Sequence, residues 1–155
     1  MDRTEWFVEK ATEIGVDEIT FLQCEHSERK RIRLDRIEKI SMSAMKQSKR
    51  AYLPKLNDLT AFDQFIEHSG GLGIQQFIAH CDQGEKTPLP QNYHPGQDVT
   101  ILIGPEGDFS VREVEEALGR GYEAISLGHH RLRTETAGIV ACHTINLLNK
   151  VKMAF

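Results

Sequence analysis

Apolar positions near the start of the chain recur at helical spacing. Trp6, Phe7, Ala11 and Ile14 fall on one side, Asp2 and Glu5 have the spacing of a capping box, and Gly15 stands where a helix closes. "DEITFLQC", residues 17–24, then reads as a strand, and "EHSERKRIR", residues 25–33, as a basic loop. From Asp35 to about Arg50 the spacing predicts a helix, with Ile37, Ile40, Ala44 and Met45 on its apolar stripe and Lys39, Lys46, Lys49 and Arg50 mostly off it. Leu59, Phe62, Phe65 and Ile66 predict a short helix closed by "SGGLG". "IQQFIAHC" is the next strand, and residues 82–98 form a loop containing proline and glycine. "VTILIG" is a strand without alternation, as expected when both faces are covered. Ser110 and Glu113 form a second capping box, for a helix to about Arg120, and "EAISLG" is another strand. The last helix runs from about Glu135 to Val151, offering Ile139, Val140, His143, Ile145, Leu147 and Leu148 for packing.

Strands alternating with helices predict an α/β fold, a mainly parallel sheet with helices on both faces. Ligands of such sheets bind outside the carboxyl ends of the strands. Three of the strand ends lead into unusual loops, "AHCDQGE", "IGPEGDFS" and "LGHHRLRTETAG". Their convergence is the main functional clue.

At 155 residues the chain is sized for one domain that needs neither disulfides nor metal to bury a core. No apolar run approaches the ~18 residues of a membrane span and no signal-peptide pattern opens the chain, so it reads as cytoplasmic. Cys24, Cys81 and Cys142 are far apart, which fits a reducing compartment. The pairs His80–Cys81 and Cys142–His143 would make a metal site only if the fold joined them; structural zinc sites use close ligand pairs, so no metal is expected.

Charge changes the picture more. The net charge of −4 divides into +8 over residues 29–55, where ten Lys or Arg face two acids, and −12 elsewhere. Such a patch suits a phosphate backbone, with Arg29, Lys30, Arg31, Arg33, Lys49 and Arg50 as candidate RNA contacts; the alternative is a solvated helix face. No aromatic residue interleaves with these cations before Tyr52, so the segment would hold a backbone rather than read bases.

The Gly104-Pro105-Glu106-Gly107 turn can expose backbone groups to a ligand, since glycine removes the side chain that would block approach. It matches neither a Walker loop nor a Rossmann fingerprint, and Glu106 and Asp108 would repel phosphate while tolerating a cation. Thr134 stands as an N-cap, and Glu135 suits the positive end of the helix dipole. Cations at a helix start are disfavoured, so Arg131 and Arg133 point to an anion or a polar base. His129 and His130 are of the residue type most often used as a general base, although tandem loop histidines are more often simply solvated.

"DRTEWFVEKATEIGVDEI", "SAMKQSKRAYLPKL", "LIGPEGDFS" and "SLGHHRLRTETAGIVACHTIN", in this order, resemble the ribosomal RNA small subunit methyltransferase E family of the SPOUT superfamily, over nearly the whole chain. The resemblance implies a C-terminal trefoil knot and S-adenosyl-L-methionine as methyl donor. The implied reaction is methylation of N3 of a uridine in 16S rRNA of the 30S ribosomal subunit, by a homodimer with sites close to its interface. It places the donor on Ile103, Gly104, Pro105, Glu106, Gly107, Leu127, Gly128, Leu132, Thr134, Thr136 and Ala137, with His80 to Asp82 at the margin. Arg133 would stabilise the uracil anion or hold a phosphate; Glu135 would orient the base or accept its proton, or serve only as a helix cap. Lys10 and Gln47 recur in the family motifs as packing or RNA contacts.

Two departures stand out. Asp108 occupies a position where the family often has a second glycine, and His130 replaces a common arginine. The family also carries an RNA-binding PUA-like domain ahead of the catalytic one, usually with a strand just before the first helix. Residues 1–155 therefore read as the SPOUT catalytic domain without that domain and, on one reading, without the strand. The alternatives are ribose 2′-O-methylation of RNA by the same fold, or a non-catalytic RNA-binding module.

Overall fold

Phe77 and Ile78 are adjacent in one strand but are buried in different cores, and this alternation organises the molecule. The structure, a computed structural model, describes residues 1–71, 74–81, 84 and 86–154. The elements in chain order are α1 (Arg3–Ile14), β1 (Glu18–Gln23), α2 (Leu34–Ser48), β2 (Lys55–Ala61), α3 (Phe62–His68), β3 (Gln75–Ala79), β4 (Thr87–Pro88), α4 (Leu89–Asn92), β5 (Val99–Ile103), α5 (Val111–Gly119), β6 (Glu123–Ser126) and α6 (Thr134–Ala154).

The pairings are parallel, as predicted, but they fall into two sheets: a four-stranded one in the order β4-β6-β3-β5, and the separate pair β1-β2. In the larger sheet Phe77 is registered with Ile101, Ile78 with Leu102 and Ala79 with Ile103. Ile78 and Leu102 face α3 and α5, packing with Phe62, Ile66, Phe109, Val114, Ala117 and Tyr122. Phe77 and the half-buried Ile101 and Ile103 face the other way, onto Leu89, Tyr93 and the α6 residues Ala141, Ile145 and Leu148. Apolar residues on both faces explain why "VTILIG" shows no alternation.

A third core joins Val8 and Ala11 of α1 to Ile37 of α2, Ile19 of β1 and Leu56 of β2, with Ile139 and Cys142 of α6 against it. Helix α6 thus belongs to two cores at once. It approaches α1 closely at Gly138, where a Cβ would stand 2.5 Å from the Phe7 ring. His143 and Leu147, predicted as packing residues, face outward instead.

Both capping boxes form, Asp2 with Glu5 and Ser110 with Glu113. Gly15 closes α1 at φ +116°, its N–H donating to the Ala11 carbonyl at 2.8 Å. The buried face of α1 differs from the predicted one: Glu5, Val8, Ala11 and Thr12 are buried, and Trp6 is 38% exposed. Polar pairing is the reason. The Thr12 and Ser41 hydroxyls meet at 3.0 Å between α1 and α2, and Glu5 accepts from Arg36 at 2.5 Å.

Leu59 lies in β2, not in the predicted short helix, which begins only at Phe62. Asn57 and Asp58 obscured this strand by breaking its apolar pattern. In the fold the Asn57 amide donates to Glu18 at 2.8 Å and Thr20 at 2.9 Å across the pair, and Asp58 accepts the Leu59 N–H at 2.7 Å. The loop expected over 82–98 contains β4 and α4, held by the buried Leu89 and Tyr93. Leu72 and Gly73 of the "SGGLG" closure, and Asp82, lie outside the described residues. Among the described residues no helix is long and apolar enough to cross a membrane.

Candidate active site

Because β3, β5 and β6 are parallel, their carboxyl ends fall on one edge of the sheet, and the loops that follow meet there. A cleft of about 280 Å³ opens among them. It is lined by Ala79 at the end of β3 and Cys81 beyond it, by Ile103 at the end of β5 and Gly104, Pro105, Glu106 and Asp108 beyond it, by Arg131, Leu132, Arg133, Thr134 and Ala137 around the start of α6, and by Arg3.

The turn after β5 is closed by the Asp108 N–H on the Pro105 carbonyl at 2.9 Å. Asp108 adopts φ +63°, a left-handed conformation that aspartate tolerates better than most residues. Its carboxylate accepts the Phe109 N–H at 2.8 Å and, from the end of β3, the Cys81 N–H at 2.9 Å. One side chain therefore fixes two of the three loops to each other. The glycines have a structural reason besides the expected one: a Cβ on Gly104 would stand 2.9 Å from the Asp108 carboxylate, and one on Gly107 would stand 2.8 Å from the His26 Cβ. Close packing of the turn on its own neighbours requires them.

Thr134 is the first residue of α6 rather than its N-cap, and its hydroxyl donates to the Gly104 carbonyl at 2.8 Å. The turn after β5 is thereby tied to the third loop as well. Behind the turn, the buried Glu113 accepts the Ser110 N–H at 2.9 Å and the Glu25 N–H at 3.1 Å, fixing α5 to the loop after β1. Arg112 bridges Glu25 at 2.7 Å, Asp63 at 3.0 Å and Glu116 at 3.1 Å, and its guanidinium holds the Glu25 carboxyl below the usual carboxylate range.

Of the predicted donor residues, Ile103, Gly104, Pro105, Glu106, Leu132, Thr134 and Ala137 line the cleft, whereas Gly107, Leu127, Gly128 and Thr136 lie outside its lining. Gly107 packs on His26, Leu127 joins the second core, and Gly128 and Thr136 are exposed. Arg133 lines the cleft. Glu135 lies beside it, 3.7 Å from Arg3, which does line it. His129 and His130 are exposed. Cys81, expected at the margin, and Arg131, expected to meet an anion or a polar base, also line the cleft, as do Ala79, Asp108 and Arg3; Arg3 has no local motif, and only the packing of α1 on α6 brings it there.

The basic segment is divided. Arg29 pairs with Asp2 at 3.0 Å, at the amino end of α1, and the exposed Lys30, Arg31 and Arg33 follow it. Arg50 caps the other end of α1, donating to the Glu13 carbonyl at 3.0 Å and to the Ile14 carbonyl, with the exposed Lys49 next to it. The two groups are separated by the length of α1, about 18 Å for its twelve residues. Among the described residues no group of three or more His, Cys, Asp or Glu could hold a metal ion.

This fold and cleft have known counterparts. Residues 1–146 match the family model of the RNA methyltransferase domain. A "Ribosomal RNA small subunit methyltransferase E" of Mesomycoplasma hyopneumoniae is 31% identical over 140 residues, covering 87% of this chain and 60% of that protein. A crystal structure titled "probable rRNA-methyltransferase" from Porphyromonas gingivalis superimposes with a TM-score of 0.91 at 47% identity, over 97% of this chain and 63% of that one. The ribosomal RNA small subunit methyltransferase E of Neisseria gonorrhoeae, solved bound to S-adenosyl methionine, gives 0.86 at 27% identity, over 96% of this chain and 62% of that one. The chain belongs to the RNA methyltransferase domain family. It spans about 60% of the length of these relatives.

Proposed function

We propose that this chain forms the donor-binding and methyl-transferring part of an enzyme that uses S-adenosyl-L-methionine to methylate N3 of a uridine in 16S rRNA of the 30S subunit, in the cytoplasm. The observation that carries the reading is the cleft itself. Apolar walls from Ala79, Ile103, Leu132 and Ala137 stand beside carboxylates at Glu106 and Asp108 and guanidinium groups at Arg3, Arg131 and Arg133. That mixture fits a nucleoside bearing a cationic sulfonium and a carboxylate.

When bound, the donor supplies an electrophilic methyl group. The chain's own work is orientation, charge stabilisation and proton removal. Uracil N3–H is a weak acid and must lose its proton as the nitrogen attacks. Arg133, exposed at the cleft wall, would stabilise the developing uracil anion or hold a neighbouring phosphate. Glu135, half-buried and paired with Arg3, would orient the base or accept the proton. Glu106 favours a cation in the cleft. Lys30, Arg31 and Arg33, at the cleft end of α1, gather RNA phosphates.

Two copies pair through α6, where Leu147 and Val151 are 48% and 45% exposed. The chain after β5 is threaded as the family's trefoil knot; the Thr134–Gly104 bond, which lays the start of α6 on the β5 loop, supports that path. The test is nucleoside analysis of 30S subunits after incubation with the protein and labelled donor. The reading predicts N3-methyluridine, lost in Arg133→Ala even at saturating donor. A 2′-O-methylated product, or unchanged turnover in Arg133→Ala, would refute the target atom or the arginine's role respectively.

A further inference from the structure

Two loops with different parts in the proposed reaction meet at one side chain. His26, in the loop after β1, places Nδ1 3.0 Å from the Gly107 carbonyl oxygen and 3.2 Å from that of Asp108. Carbonyl oxygens only accept, so Nδ1 carries the proton and donates to both. The seat is tight: a Cβ on Gly107 would also come within 3.2 Å of the His26 carbonyl oxygen. Glycine at 107 is what lets the imidazole reach the turn.

Glu113 already joins Glu25 to Ser110, two residues beyond the turn, but the turn itself and the middle of the basic loop are otherwise anchored on their own sides. The turn is held from β3 by the Cys81 N–H on Asp108 and from α6 by Thr134 on Gly104. The basic loop is fixed at its start by the Glu25 N–H on Glu113 and the Cys24 N–H on the Ser27 hydroxyl at 2.9 Å. At Arg29 it is held by Asp2, the neighbour of the cleft residue Arg3. His26 connects the two sets of anchors.

We propose that His26 is a positioning residue: by bridging the Gly107 and Asp108 carbonyls it makes the basic loop 25–33 and the cleft turn 104–108 one mechanical unit, so that RNA phosphates gathered on the loop order the turn. The proposal rests on the methyltransferase reading above. Ordering one loop lowers the entropy still to be lost when the other is ordered, and the coupling is reciprocal: donor binding strengthens RNA binding by the same factor.

Amide hydrogen exchange of the wild type, His26→Ala and His26→Asn, each with and without a short single-stranded RNA containing uridine, tests this. The Asn amide can take the place of Nδ1–H. The RNA is expected to slow exchange over 25–33 in all three proteins. At Gly107, Asp108 and Phe109 it should slow exchange by about tenfold in the wild type and His26→Asn, and by under about twofold in His26→Ala. Equal slowing of the turn in His26→Ala overturns the proposal, as does protection of the loop without the turn in the wild type, or protection of neither. A parallel donor titration keeps the two readings apart. Donor binding without linked protection removes the coupling alone, whereas a folded chain that binds no donor removes the methyltransferase reading.

Discussion

Thr134 and Gly104 lie thirty residues apart and are joined by one hydrogen bond, hydroxyl to carbonyl, at 2.8 Å. It ties the start of α6 to the end of β5 and so sets the width of the cleft between them. Thr134→Val keeps the side chain's shape and removes the donor. The expected loss is about 1 kcal/mol of stability, with donor affinity several-fold weaker. Chemical denaturation and calorimetry, run on the same samples, measure both.

Glu113 is 1% exposed and accepts two backbone N–H groups, those of Ser110 and Glu25. Glu113→Ala strands both donors, at an expected cost of about 2 to 4 kcal/mol. Glu113→Gln retains acceptor capacity at one oxygen and should cost less. Urea unfolding of the two variants gives the comparison, and equal losses would contradict the assignment.

At Gly138 two effects oppose each other. Alanine is the better helix former by about 1 kcal/mol, but its Cβ would stand 2.5 Å from the edge of the Phe7 ring. Overpacking of this kind costs about 1 to 3 kcal/mol, so Gly138→Ala should lower the melting temperature. The double variant with Phe7→Leu should recover part of the loss.

Burial pushes the Cys24 thiol from 9.0 up to about 12, with the Glu113 carboxylate adding to the effect, and pushes Cys142 up to about 11. A thiol that stays protonated in the folded chain but ionises in the unfolded one contributes fully below pH 9.0. Above that pH its contribution falls by about 1.4 kcal/mol per pH unit, until the folded thiol also ionises. Cys24→Ala should flatten the decline in stability above pH 9.0. The exposed Cys81 should be the thiol that reacts fastest with a maleimide in the native state, and mass spectrometry of labelled peptides would show the order.

The elements that announce themselves locally were legible. The Asp2–Glu5 and Ser110–Glu113 boxes, the Gly15 stop and the apolar run of β5 all rest on short-range chemistry, and each folds as read. The strand over Lys55–Ala61 was not, because Asn57 and Asp58 hide it until the hydrogen bonds of Asn57 across to β1 and of Asp58 to the Leu59 N–H are seen. The loops of the site could be read from glycines, carboxylates and arginines that no packing pattern demanded. Arg3 could not, because it enters the cleft only through the approach of α1 to α6, 135 being the position it meets there. His26 was passed over as part of a basic loop, since its partners are backbone carbonyls 81 and 82 positions on.

In the proposed function the cleft at the ends of β3 and β5 and the start of α6 holds the methyl donor. Calorimetric titration of the chain with S-adenosyl-L-methionine, with ATP as control, addresses it most directly. Saturable donor binding near one site per chain is expected, weakened in Thr134→Val, with no comparable heat from ATP. A chain shown to be folded that takes up no donor, or that binds ATP equally well, would contradict it.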